Sequence, residues 1–298
     1  MTGSMTTTSF YAGFTGLQFP PEMGELDLGQ GLVLRRTYAH LMTTYMMAFQ
    51  PPEAPGKHHP APWKATTRHD GFDAHTELMI PAGYKPPGQL TAFEVARTIT
   101  SVLRLFVDPT IRFLVQSTHS LSEVATTPDR EIAITPVEST KQYIQLALVS
   151  DGNAPARLTW VRDHWQNAVA LMASHADFRL AMEAFELSTF VPHHALTLVS
   201  LWGALEALFS PSTSELRFRV SVLIASYVHP PGEGRLALQR EIFDLYDKRS
   251  AAAHGKPKHD TTHLVQTFNI LQRVLVRMIE ENAVPSKTAL NQMLLGTP

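Results

Sequence analysis

Apolar and polar positions along the first half of the chain fall into short runs that change period. Phe10–Phe19 and Leu32–Tyr38 are apolar, β-branched or aromatic runs of strand length. Leu41–Phe49 is rich in Met and fits either a strand or a helix. Ala74–Ile80 alternates and stops at Pro81, and Ile111–Gln116 and Glu131–Thr135 read as further strands. Between them, Leu90–Phe106 carries Phe93, Ala96, Ile99, Thr100 and Leu103 at helical spacing. Residues 51–70 (PPEAPGKHHPAPWKATTRHD) have turn formers and no apolar period, which predicts a long loop.

The second half changes character. Trp160–Ser174, Asp177–Phe190, Pro192–Phe209, Ser214–Val228, Arg235–His254 and a segment from Thr261 or Thr262 to Asn282 all repeat at helical spacing. Asp177 is placed as an N-cap, and Gly255 followed by Pro257 forms a stop signal after His254. Five or six consecutive helices with short links describe a helical bundle. The expectation is an α+β protein with a mixed α/β domain over 1–155 and an all-α bundle over 156–298, without internal repeats.

Composition narrows the function. The 298 residues hold 25 Lys+Arg against 27 Asp+Glu, so whole-chain charge excludes a strongly basic nucleic-acid binder while leaving a local basic patch open. The absence of cysteine excludes disulfide scaffolds, thiolate metal sites and cysteine nucleophiles. The start, MTGSMTTTSF, lacks the basic and apolar regions of a secretory leader. Ala195–Phe209, the best membrane-span candidate, is too short and contains Glu206. These features predict a cytoplasmic protein with no membrane partner. No P-loop, G-x-G-x-x-G or G-x-S-x-G occurs, which argues against nucleotide hydrolysis and an α/β-hydrolase.

The most informative segment is residues 245–258, LYDKRSAAAHGKPK. It holds Arg249 and His254, an R-x4-H pair at a predicted helix end. Upstream, residues 198–209 (LVSLWGALEALF) are apolar with one carboxylate, Glu206. At 100° per residue, Arg249 and His254 lie about 140° apart on a regular helix. His254 must therefore sit at the helix end, freed by Gly255, or the pair must be completed by another chain. The small side chains of Ala251, Ala252 and Ala253 leave the intervening surface low enough for a second backbone or an RNA strand. Lys248, Lys256, Lys258, His259 and His263 stand against Asp247 and Asp260, a basic stretch in a half (151–298) with 14 Lys+Arg and 14 Asp+Glu. An anionic ligand near this stretch follows from that excess.

The "ALEAL" core of residues 204–208, followed some 40 residues later by "LYDKRS" (245–250) and "HG" (254–255), resembles the HEPN superfamily and its Apea-like branch, over roughly residues 160–283. Ser250 stands where many catalytic members of that family carry Asn, Asp or His. The resemblance implies a metal-independent endoribonuclease with Arg249 and His254 as catalytic residues in a composite site of a homodimer. It also implies a setting in antiviral defence or a toxin system, with RNA as substrate and an antitoxin or trigger protein as partner. The chemistry suits the residue types. An imidazole exchanges protons with the ribose 2′-OH or the leaving 5′-oxygen, and a guanidinium holds two phosphate oxygens. Neither a metal nor a cofactor is required. Glu206, Ser250, Lys248, Lys256 and Lys258 are the candidate supporting or RNA-binding residues.

Plainer readings stand beside these. Arg249 can pair with Asp247 or Glu206, and His254 can serve as a helix C-cap. Glu206 can brace Arg249 or pair with Arg217 or Arg219. His259 and His263, four apart, have metal-ligand spacing but no third ligand. Trp63, Trp160, Trp165 and Trp202 read as core or interface residues. The rival function is a non-catalytic module for dimerisation or for RNA or protein binding; a third reading is a nucleotide-binding regulator.

Overall fold

The computed structural model describes residues 8–17, 19–20, 23–87, 90–128, 131–140, 142–144, 154–209, 215–253 and 260–295. The fold is α+β, with an antiparallel sheet drawn from the first half and a helical region after it. By packing, the chain divides into two compact units without a single cut near residue 155. One unit comprises Thr7–Gly83 and Arg112–Ser139; the other includes Tyr84–Ile111 and the chain from Thr140 onward.

The sheet unit contains β1 (Phe10–Thr15), β2 (Glu25–Gly29), β3 (Leu32–Ala48), β4 (Trp63–Ile80), β5 (Arg112–Ser117) and β6 (Ile134–Pro136), in the order β2-β3-β4-β1-β5-β6. Every neighbouring pair is antiparallel. Strand β2 alternates exposed Glu25 and Asp27 with buried Leu26 and Leu28, the period of two that a half-buried strand requires. At Gly13 the register of β1 against β5 shifts. A Cβ there would stand 2.7 Å from Leu121 Cδ1 and 2.9 Å from Val115 Cγ1, so only glycine fits the close approach. Glu77 of β4, 1% exposed, is held by Arg35 Nε at 2.8 Å, Ser120 Oγ at 2.7 Å and the Leu121 amide at 2.9 Å.

One expectation changes here and one open reading is settled. Trp63–Asp70 is strand rather than loop, since β4 begins at Trp63 and pairs with β3 through Ala48↔Trp63 and Thr44↔His69. This resolves Leu41–Ala48 as strand. The pairing is made by backbone groups, which an apolar period in either segment alone does not report.

The helical unit contains α1 (Ala92–Phe106), α2 (Ala154–Ser174), α3 (Ala176–Leu187), α4 (His194–Phe209), α5 (Leu216–Val228), α6 (Glu233–Ala253), α7 (Thr261–Glu281) and α8 (Lys287–Leu295). Helix α1 begins with a capping box: Thr91 Oγ1 accepts from the Glu94 amide, and the Glu94 carboxylate accepts from the Thr91 amide. At α3 the N-cap is His175, and Asp177 lies in the first turn instead, where a carboxylate still faces the positive helix end. Asp260 caps α7, and Asn282 closes it in the left-handed conformation that asparagine tolerates. The core between the helices includes Trp165, Phe178, Phe185, Trp202, Phe209, Tyr227 and Phe268. Buried Arg104 donates to Glu186 at 2.7 Å and to the Ile111 carbonyl at 2.6 Å, which keeps that charge satisfied. Of the tryptophans, Trp165 and Trp202 are core residues, Trp160 is half-buried and Trp63 is exposed.

Candidate active site

The predicted residues meet where α4 packs on α6. Tyr246 and Arg249 are three residues apart on α6, so they share a face. That face is turned to Glu206 of α4. Arg249 Nη2 donates to Glu206 Oε2 at 3.1 Å, and the Tyr246 hydroxyl donates to Oε1 at 2.9 Å. One carboxylate thus joins both side chains. The side chains of Arg249 and Glu206 are 24% and 20% exposed, so the pair sits at the rim of the bundle, neither in open solvent nor in the core.

The apolar frame explains the placement. Trp202 lies one turn before Glu206 on α4 and meets Tyr246 edge-on, with ring centroids 5.2 Å apart. The Arg249 guanidinium lies 5.5 Å from the Tyr246 ring centroid. Burial pushes the Tyr246 hydroxyl above its ordinary range. The bond to Glu206 and its charge push in the same direction, and Arg249 opposes them. Tyr246 therefore remains a neutral donor to the carboxylate across the physiological range. The Nε of Arg249 and the indole N–H of Trp202 are buried without a hydrogen-bond partner among the described residues.

Of the pairings open to Glu206, the structure has the one with Arg249. Arg217 turns to Asp247 Oδ2 at 2.8 Å and lies 3.6 Å over the Phe243 ring, while Arg219 is exposed. Arg249 pairs with Glu206, leaving Asp247 to Arg217. Ser250 and Lys248 are half-buried at the same end of α6. Asp260 is held below the ordinary carboxylate range, first by the His263 amide, with Lys248 contributing charge. His254, Lys256 and Lys258, together with Gly255 and His259, lie outside the described residues. His263 is taken up by the α7 cap, where its Nδ1 accepts from the Asp260 amide at 3.1 Å. No cluster of three or more metal-ligating side chains occurs among the described residues.

Sequence reasoning missed the part played by Tyr246, which reads as one more apolar position on α6. Its signal was the spacing Tyr246–Arg249 opposite a lone carboxylate in an apolar helix. It also missed a groove of about 940 Å³ elsewhere in the helical unit, lined by Phe106, Trp160, Arg273, Arg277 and Glu280 among others. There Trp160 stacks on Phe106 at 3.9 Å and donates to Glu280 at 2.9 Å. None of the predicted site residues lines this groove.

No described helix is long and apolar enough to cross a membrane. The chain matches no protein-family model, no curated protein and no solved structure.

Proposed function

We propose that the chain is a metal-independent endoribonuclease of HEPN type, with Arg249 and His254 as its catalytic pair. The observation that carries this reading is the bracing of Arg249. Glu206, itself held by the Tyr246 hydroxyl, holds the guanidinium at the last turns of α6, five residues before His254. A guanidinium fixed in advance stabilises charge on a phosphate without reorganising during the reaction. In this reading neutral His254 takes the proton from a ribose 2′-OH, whose oxygen attacks the adjacent phosphorus. The P–O5′ bond breaks, the 5′-oxygen receives a proton from an imidazolium, and a 2′,3′-cyclic phosphate and a 5′-hydroxyl result. A homodimer provides two imidazoles for the two proton transfers, which one His cannot conveniently serve together. Ser250, Lys248, Lys256 and Lys258 flank the pair as RNA contacts. The sheet-bearing part regulates the bundle or senses a trigger, and the setting is antiviral defence or a toxin system in the cytoplasm.

One observation favours the non-catalytic alternative. The charge of Arg249 is already balanced by Glu206 at 3.1 Å, as in a structural ion pair that orders a dimerisation or binding module. End-group analysis of RNA incubated with the protein in EDTA separates the two. The nuclease reading expects cleavage with 2′,3′-cyclic phosphate ends. Intact RNA supports the binding module, and 3′-hydroxyl ends point to metal-dependent hydrolysis.

A further inference from the structure

The groove beside Phe106 and Trp160 is built by four elements of the helical unit. These are the C-terminal ends of α1 and α5, the first turns of α2 and one face of α7. Much of its polar lining fastens them together. Arg157 of α2 donates to the Val107 carbonyl at 3.2 Å, and Gln272 of α7 donates to the Leu105 carbonyl at 2.6 Å. Both bonds satisfy carbonyls that the end of α1 leaves open. Arg277 of α7 does the same at the end of α5, where it donates to the Tyr227 carbonyl. The groove is thus tied in place across the helices, and its walls need not be ordered when a ligand enters.

Two features define what fits. The first is an apolar bed of Phe106, Ala156, Trp160, Val228 and Val276. The second is charge. The guanidiniums of Arg157, Arg273 and Arg277 line the groove against the carboxylates of Glu280 and Glu281, a formal excess of one positive charge. Both carboxylates are engaged. Glu281 accepts from Arg277 and from the Tyr227 hydroxyl, and Glu280 accepts from the Trp160 indole. Arg273, exposed on α7, has a different partner: its Nη2 donates to His229 Nε2 at 2.7 Å. A guanidinium has no acceptor, so the imidazole nitrogen contributes a lone pair, and a ring that accepts there is neutral. The contact orients Arg273 without cancelling its charge.

An oriented guanidinium beside an apolar bed suits a ligand with an anionic head and an apolar body. The volume of about 940 Å³ lies in the range of small-molecule sites. A single surplus positive charge matches a monoanion, whereas a phosphomonoester dianion calls for a second one. A planar carboxylate also fits the planar guanidinium fork. We propose that this groove binds a small amphipathic carboxylic acid. Its apolar body lies on Phe106, Val228 and Val276, and Arg273 holds its carboxylate. The site is independent of the ribonuclease reading, because none of the residues of that reading lines it.

Ligand-observed NMR titration of the intact chain with naphthoate tests the proposal. Naphthoate should bind saturably, with a dissociation constant of about millimolar or tighter, the strength open to a ligand of about a dozen heavy atoms. Naphthamide, its neutral analogue, should bind about 10-fold more weakly, and naphthyl phosphate no more tightly than naphthoate. Arg273→Gln should weaken naphthoate by about 10-fold, the effect of a lost charge-assisted hydrogen bond, and leave naphthamide unchanged. Arg273→Lys should recover part of the loss. Ala156→Trp, at another exposed position of the lining, should exclude every ligand by filling the groove. Circular dichroism and melting verify that the variants fold. The proposal is overturned if naphthoate shows no saturable binding at millimolar concentration, or if folded Arg273→Gln protein binds it as tightly as the wild type. It is overturned equally by a loss that naphthamide shares in full, or by tighter binding of naphthyl phosphate.

Discussion

Arg249 shows how one residue can be read from sequence and then reinterpreted by its partners. That Glu206 needs a counter-charge was legible, because a single carboxylate in an apolar helix requires one; which of Arg249, Arg217 and Arg219 supplies it was not. Tyr246 as a second donor was not legible, because a tyrosine at an apolar position looks like core until its hydroxyl finds an acceptor. Removing the carboxylate in Glu206→Ala frees both donors, and stability should fall by about 1–3 kcal/mol in urea titrations. In the nuclease reading, Arg249→Ala lowers both RNA affinity and rate. Arg249→Lys restores affinity more than rate, since a point charge does not reproduce the planar fork. Filter binding and single-turnover cleavage separate these effects. Tyr227 gives a pH test. Its hydroxyl donates to Glu281 at 2.9 Å, and burial, then Glu281, raise it well above its ordinary value of 10.0. The unfolded chain therefore releases that proton first, so the stability from this group is complete below pH 10 and declines as pH rises beyond it. Between pH 9 and about 11 the melting temperature of the wild type should fall more steeply than that of Tyr227→Phe. Equal slopes would contradict a Tyr227 hydroxyl raised by burial and by Glu281.

At the scale of elements, legibility followed periodicity. The helix at Ala92–Phe106 was visible because Phe93, Ala96, Ile99 and Leu103 repeat at helical spacing; its capping box, Thr91 with Glu94, went unread. Helices α4 to α7 were visible for the same reason. The five-residue strand β2 is too short to stand out, and α8 follows what already reads as the last helix. The outer half of β4 escaped because its sequence carries no apolar alternation, and Trp63, Lys64 and Ala65 at its outer end are exposed. Its identity depends on backbone pairing with β3, a contact remote in sequence. Buried Glu77 escaped likewise, since its partners Arg35 and Ser120 lie 42 and 43 residues away. Glu77→Ala should cost about 2–4 kcal/mol, because it strips three donors of one acceptor. Gly13→Ala should cost about 1–3 kcal/mol through overpacking against Val115 and Leu121. Denaturant midpoints test both, and changes below about 0.5 kcal/mol, the size of ordinary surface substitutions, would contradict these packing accounts.

For the whole molecule, two compact units share the chain, and the helical one recruits Tyr84–Ile111 from the first half. That exchange was hidden because sequence order suggested a cut where composition changes, whereas α1 follows the helices it packs on, α2 and α3. The nuclease account rests on the end of α6, where a braced arginine precedes a histidine by five residues. The most direct test compares RNA cleavage in EDTA by wild type and His254→Ala, with folding checked by thermal melting. Positioned acid–base catalysis contributes about 10²–10⁴-fold, so the account predicts a loss of that order with RNA binding retained. Folded His254→Ala protein that cuts RNA as fast as the wild type would contradict it.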